Sequence, residues 1–328
     1  MKRPNIKKPQ TFKTAPSRRR GRITPLAGTR RATGVPLFNG TRRATGVTPL
    51  AGTRLRRAAI AVALAILMLT PLTACVSKTQ GAPEQTELIV FGAASMTETL
   101  TEIASLYENT APNVKLIFNF DSSGTLKTQI QEGAECDVFI SAGQRQMDQL
   151  DIAASADVNT EGLDFILGGT RVNLLENRIA LVVPPGNPAN IRSFADMADA
   201  LRAGGVLMAM GNSDVPVGQY TQSILAFFGL DEQALANSGV ISYGSNVKEV
   251  TVQVGEASVD FGVVYATDAF SAGLDVVDYA NAEMCGRVVY PAAVLSGSQN
   301  REAAQAFLDF LAGGEAMAVF EHVGFSRP

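Results

Sequence analysis

Residues 87–142 read ELIVFGAASMTETLTEIASLYENTAPNVKLIFNFDSSGTLKTQIQEGAECDVFISA. Twice in this stretch an apolar run passes through a small, hydroxyl-bearing turn into a helical pattern. Leu88-Ile89-Val90-Phe91 leads through Gly92-Ala93-Ala94-Ser95 to a pattern with Met96, Leu100, Ile103 and Tyr107 on one face. Val114-Lys115-Leu116-Ile117-Phe118 leads through Asp121-Ser122-Ser123-Gly124 to Leu126 and Ile130. A short apolar strand followed by helical periodicity predicts a βα unit of a parallel sheet. Ser95-Met96-Thr97-Glu98 has capping-box form, so the first helix is expected to start at Ser95. Each turn would aim free backbone N–H groups and the positive end of a helix dipole at one edge of the sheet. Two serine hydroxyls there would complete a pocket for a small oxyanion that needs no lysine or arginine. A single serine at a helix start is ordinarily just a cap. The weight therefore falls on the repetition, and on what the rest of the chain adds.

Upstream, the composition changes sharply. The first 57 residues hold sixteen Lys and Arg, and the first acidic residue of the chain is Glu84. The octapeptide GTRRATGV occurs at 28–35 and again at 40–47, and TPLAGTR at 24–30 and 48–54. Such a segment has too little apolar surface to offset its chain entropy, so residues 1–53 are expected to be a disordered, basic, low-complexity extension. Residues 54–75 have the form of a secretory signal, with Arg56-Arg57 before the apolar run 58–69 and then Thr70-Pro71-Leu72-Thr73-Ala74-Cys75. That run is too short for a comfortable membrane span. Leu72-Thr73-Ala74-Cys75 resembles the lipobox of bacterial lipoproteins, in which the cysteine is lipidated and becomes the new amino terminus. A translation start nearer Val47 or Leu55 would give this signal its usual place. Residues 76–86 read as a polar tether.

Past the signal, 12 basic residues (28 less 16) face all 31 acidic ones, a formal charge of about −19. This acidity argues against nucleic acid as a partner. It also means that a bound anion must be held by short-range donors and helix dipoles against an unfavourable overall field. Strand runs recur at 138–140, 179–183, 206–209, 262–264, 276–277 and 288–290, with helical patterns at 193–202, 220–228, 247–256, 301–311 and 314–322. The alternation predicts an α/β protein with mainly parallel sheets flanked by helices, long enough for two lobes.

Five further pieces carry a family resemblance. They are Gly92-Ala93-Ala94-Ser95, Ser122-Ser123-Gly124-Thr125-Leu126, Cys136-Asp137-Val138-Phe139-Ile140-Ser141-Ala142, Asp214-Val215-Pro216-Val217-Gly218-Gln219-Tyr220, and Gly262-Val263-Val264-Tyr265-Ala266-Thr267-Asp268-Ala269. In this order and spacing the chain from Glu87 onward resembles the periplasmic or lipid-anchored molybdate-binding proteins of ABC importers. The resemblance implies a two-lobed type II periplasmic-binding-protein fold, with 87–175 plus 289–328 as lobe 1 and 176–288 as lobe 2. It implies that molybdate, and tungstate with it, is captured between the lobes and delivered to an ABC permease. The protein would be exported, monomeric and lipid-anchored at Cys75, without a cofactor and without a metal bound as cation. The implied ligand contacts are Ser95, Ser123, the backbone N–H groups of Val217 and Val247, and the phenol of Tyr265. Val217 stands where alanine is usual, which leaves a main-chain donor intact. Asp121 stands where a small residue is common, and its carboxylate is expected to point away from a dianion. Sulfate or phosphate remain alternative ligands, and an enzyme or signalling receptor on the same fold remains the alternative class.

A hydrolase would need a base beside its nucleophile. The single histidine, His322, lies far in sequence from every serine turn, and one His with scattered Cys makes no metal-ligand set. Arg145, Arg171 and Arg178 read as surface charges, Asp148, Asp151 and Asp157 as solvated faces, and Asp268 as a cap for the following segment. With Cys75 lipidated, Cys136 and Cys285 remain. A disulfide between them and two free thiols both stay open.

Overall fold

The computed structural model describes residues 85–328. The expected basic extension, signal, lipobox Cys75 and most of the tether lie outside the described residues.

The first βα unit forms as its apolar spacing dictates. β1 (Thr86–Ala93) runs into a 3-10 turn (Ala94–Met96) and then α1 (Thr97–Thr110). Met96, Leu100, Ile103 and Tyr107 are all buried, on the face turned to the sheet. The start of α1 differs from expectation. Its first residue is Thr97, whose Oγ1 donates to Ala94 O, and no side chain caps it. Ser95 lies inside the 3-10 turn, where its hydroxyl is turned away from the helix toward Tyr290.

The second unit is β2 (Val114–Asp121) and α2 (Ser123–Gln131), where Ser122 Oγ caps the helix by accepting from Thr125 N. β3 (Val138–Ile140), α3 (Gln144–Asp148) and β4 (Val172–Asn177) complete the outgoing part of lobe 1.

The chain then enters the second lobe. This is built from β5 (Ile179–Val183), α4 (Phe194–Ala203), β6 (Met208–Gly211), α5 (Pro216–Phe227), α6 (Glu232–Asn237), β7 (Ile241–Gly244), α7 (Val247–Gly255), β8 (Phe261–Tyr265), α8 (Ala266–Ala272), β9 (Asp275–Tyr279) and α9 (Ala282–Cys285). It returns as β10 (Val288–Val294), α10 (Arg301–Ala312) and α11 (Gly314–Val323).

Two five-stranded sheets result, ordered β2-β1-β3-β10-β4 and β7-β6-β8-β5-β9. In each, the first three strands are parallel. The last two pairings are antiparallel, because β10 and β5 are crossing strands that enter their sheets from the opposite end. The α/β class is as expected, while parallel pairing is confined to half of each sheet. Sheet membership changes between Asn177 and Ile179 and again between Tyr279 and Val288. The two lobes are thus joined by two crossings that lie close to each other in the fold.

The same antiparallel geometry keeps the two cysteines apart, and both thiols are free. Cys136 precedes β3, whereas Cys285 precedes β10, which pairs with β3 in the opposite direction. They therefore sit beyond opposite ends of the sheet, separated by more than the length of β10, roughly 20 Å at about 3.3 Å per residue. The expected possibility of a Cys136–Cys285 bond does not hold in this fold. The readings of Arg171 and Asp151 also change, and Asp151 is buried and not on a solvated face. Arg171 is half-buried and pairs with Asp148 at 2.6 Å and Asp151 at 2.9 Å, rather than standing as a surface charge. Arg178 is exposed, as expected, and lies over the ring of Tyr279, 4.1 Å from its centroid.

Candidate functional site

The carboxyl ends of the parallel strands in both sheets face one another across the interlobe cleft. A space of about 10 Å³ lies there, lined by Ala93, Ala94, Ser95, Ser122, Ser123, Ala142, Val215, Pro216, Val247 and Tyr265. Of the five expected contacts, Ser95, Ser123, Val247 and Tyr265 line it directly. Val217 does not, but its neighbours Val215 and Pro216 do. Pro216 is the first residue of α5 and has no N–H, so the N–H of Val217 is the first that this helix can offer.

Three helices of nine or more residues begin at this space: α2 at Ser123, α5 at Pro216 and α7 at Val247. The first N–H groups of a helix have no partner within it, and its dipole places positive charge at the same point. Among the described residues, no lysine or arginine lines the space. The arrangement offers donors without a cation, which suits a small, fully ionised oxyanion.

Each hydroxyl at the site has a defined partner. Ser123 Oγ accepts from Ala142 N at 2.9 Å. Ser95 Oγ lies 2.9 Å from Tyr290 Oη, and Tyr290 Oη in turn accepts from Asn177 Nδ2 at 3.3 Å. Tyr265 Oη donates to Ala142 O at 3.2 Å. Burial drives the pKa of Tyr265 and of Tyr290 well above the ordinary phenol value, so both stay protonated and able to donate. Asp121 does not line the space. Its Oδ1 accepts from Ser122 N at 2.7 Å and from Asn246 Nδ2, across the cleft, at 3.5 Å.

The residue expected to cap α8 does something else. Asp268 is fully buried and faces Lys248, with Nζ 3.1 Å from its Oδ1 but without a well-directed hydrogen bond to either oxygen. Burial raises its carboxyl to about 6, against the opposing pull of Lys248. Lys248 also reaches Glu98 of α1 at 2.7 Å, so one ammonium joins carboxylates on both lobes. Tyr290, Asn177, Ala142 and Lys248 were not singled out by the sequence motifs as parts of the site. A lone tyrosine in the aliphatic run Val288-Val289-Tyr290 was the available signal for Tyr290.

A larger cavity, about 510 Å³, opens at the opposite edge of the first sheet near Ile89, Cys136, Phe165 and Leu295. Glu87, Glu135 and Asp137 stand in its wall, an unfavourable setting for an anion. His322, on α11, packs edge-on against Phe270 and is not part of the cleft lining.

Two lobes on separate sheets, shut over a cluster of neutral donors, define a two-lobed binding protein of the type II periplasmic fold. A family model for the bacterial extracellular solute-binding proteins matches residues 88–326, and the chain belongs to that family. YvgL of Bacillus subtilis (strain 168), a proposed ABC transporter substrate-binding lipoprotein, is 31% identical over 81% of this chain and 96% of its own. The molybdate-binding protein ModA of Mycobacterium tuberculosis (strain ATCC 25618 / H37Rv) is 30% identical over 79% of this chain and 90% of its own. Among solved structures, the substrate-binding domain of a proposed molybdenum ABC transporter from Clostridium difficile matches with a TM-score of 0.54 at 29% identity. That match covers 74% of this chain and all of that one. A more distant relative, 26% identical over 82% of this chain and 96% of its own, is an aconitate isomerase of Pseudomonas sp.

Proposed function

We propose that this protein captures molybdate, and tungstate with it, outside the cytoplasm and delivers it to an ABC permease. The observation that carries the reading is the convergence of the α2, α5 and α7 amino termini with the Ser95, Ser123 and Tyr265 hydroxyls on one space between the lobes, lined by no cation among the described residues. The relatives named for molybdate binding, and the neighbour named for molybdenum transport, support molybdate over other tetrahedral oxyanions. A phosphate receptor would need an acceptor for the ligand's proton, and Asp121 is engaged elsewhere. In this reading the protein breaks no bond, uses no cofactor and acts as a monomer. Lipidation at Cys75 would hold it to the membrane, a proposal supported by Leu72-Thr73-Ala74-Cys75 and by the lipoprotein relative.

Calorimetric titration of the purified protein with molybdate, tungstate, sulfate and phosphate tests the reading. Molybdate and tungstate are expected to bind far more tightly than the other two. Tight sulfate binding with weak molybdate binding would overturn it.

A further inference from the structure

We infer that Tyr290, held by Asn177, is the positioning residue that commits Ser95 to donating its hydroxyl proton to the bound anion. The inference rests on the oxyanion reading of the cleft and adds to it the direction of each proton.

The direction follows from one amide. Asn177 Oδ1 accepts the N–H of Arg178 at 2.8 Å. A backbone N–H can only donate, so this contact fixes which end of the amide is oxygen. Asn177 Nδ2 is therefore the end that faces Tyr290 Oη at 3.3 Å and Thr267 Oγ1 at 2.9 Å, and both of its protons are used. Among the described hydrogen bonds Tyr290 Oη has two partners, Asn177 Nδ2, which can only donate to it, and Ser95 Oγ, 2.9 Å away, so in the relay its own proton goes to Ser95. Ser95 Oγ is then an acceptor within the protein, and its remaining proton is free for the space that Ser95 lines.

Ser123 reaches the same polarity more simply. Its Oγ accepts the N–H of Ala142 at 2.9 Å, again a group that can only donate. Both serines thus present protons rather than lone pairs. Ser123 is set by the backbone. Ser95 depends on a chain of side chains that are themselves buried: Tyr290 is 0% and Asn177 7% exposed. Cutting that chain frees Ser95 to rotate, and a rotated serine can accept a proton from the ligand as well as give one.

A double-mutant cycle with sodium molybdate tests the relay, with titrations in phosphate at pH 8 run alongside. Tyr290→Phe keeps the ring and removes the phenol. Its molybdate affinity is expected to fall about tenfold, as for loss of one oriented hydrogen bond to a charge. In a Ser95→Ala background the same change should cost nothing further, because the residue through which it acts has gone. Phosphate, which carries a proton at pH 8, should lose less than molybdate does, so the ratio of the two affinities falls. A packing role for Tyr290 would instead weaken both ions alike.

Asn177→Asp provides a second route. It keeps the acceptor for Arg178 N–H but draws the Tyr290 proton to itself, which reverses the relay. It too should weaken molybdate binding and be silent on Ser95→Ala. Losses that simply add across the cycle, or an unchanged Tyr290→Phe, overturn the relay alone. Wild-type protein that binds none of the oxyanions overturns the proposed function and the relay together.

Discussion

Gly124 on lobe 1 and Asp214 on lobe 2 meet so closely that a Cβ at Gly124 would stand 2.1 Å from the Asp214 carbonyl oxygen. The obstacle is backbone, which cannot swing aside. Gly124 is a helical residue of α2 and is not required there for a left-handed conformation. It is required for closure.

Gly124→Ala should therefore leave the unliganded fold intact and hinder the shut state. With overpacking worth about 1–3 kcal/mol, molybdate affinity is expected to fall roughly five- to a hundred-fold. The unliganded melting temperature should hold or rise slightly, since alanine favours helix. Calorimetry and thermal unfolding separate the two effects. An unchanged affinity would show that the lobes need not approach this closely.

Ser95→Ala and Ser123→Ala should each cost roughly 1.5–3 kcal/mol of binding, about ten- to a hundred-fold. Because Ser95 does not cap α1, any loss of stability in Ser95→Ala should come from the buried Tyr290 phenol left without its partner and not from an uncapped helix. Tyr265→Phe should weaken binding, while His322→Ala should leave affinity untouched. Unaltered molybdate titrations in both serine variants would move the pocket elsewhere.

Asp268 makes stability depend on pH in a direction opposite to most carboxylates. Its folded value of about 6 lies above its ordinary 3.8, so between these values the folded protein binds the extra proton. The stabilising contribution is present below the ordinary value and is lost as pH rises through about 6. Asp268→Asn removes this loss. Relative to wild type it should gain up to roughly 3 kcal/mol between pH 4 and pH 7 in urea unfolding. A constant difference across that range would mean that the carboxyl titrates normally.

The two thiols should behave differently. Cys136 is buried, and burial raises its pKa strongly, so it should resist alkylation until the protein unfolds. Cys285 is partly exposed and pushed up to about 11, so native labelling should be slow at neutral pH and accelerate in alkali. Recovery of a Cys136–Cys285 disulfide peptide from unreduced protein would contradict this fold.

Mass spectrometry of membrane-extracted protein is expected to find a lipid-modified Cys75 as the first residue, and Cys75→Ser to remain unprocessed. An intact peptide spanning residues 60–80 in mature protein would remove the anchor from the proposal.

Much of lobe 1 was legible because local rules decide it. The apolar run of β1 and the Met96, Leu100, Ile103, Tyr107 stripe need no information from elsewhere in the chain. The places of Ser123 and Tyr265 on the cleft were legible through short motifs, and that of Val247 through the helical pattern it opens. What failed was what depends on distant partners. Ser95 has the form of a cap, yet Tyr290, 195 residues later, takes its hydroxyl. Asp268 looks like a first-turn acid, and only the fold brings Lys248 to it. β4 and β7, with Asn173, Glu176 and Ser242 among few apolar residues, show too little pattern to stand out. Antiparallel entry of β5 and β10 is likewise a property of the path between lobes.

Lys248 holds Glu98 of one lobe while facing Asp268 of its own. The shut molecule therefore has an attraction across its mouth that vanishes when the halves part, whether or not cargo is inside. Lys248 and Glu98 are both partly exposed, so this attraction is worth about 1 kcal/mol or less and is weakened by dissolved ions. A rise in ionic strength would then loosen the grip a few-fold without touching one contact to the cargo. A receptor facing the outside medium would release more readily in brine than in fresh water.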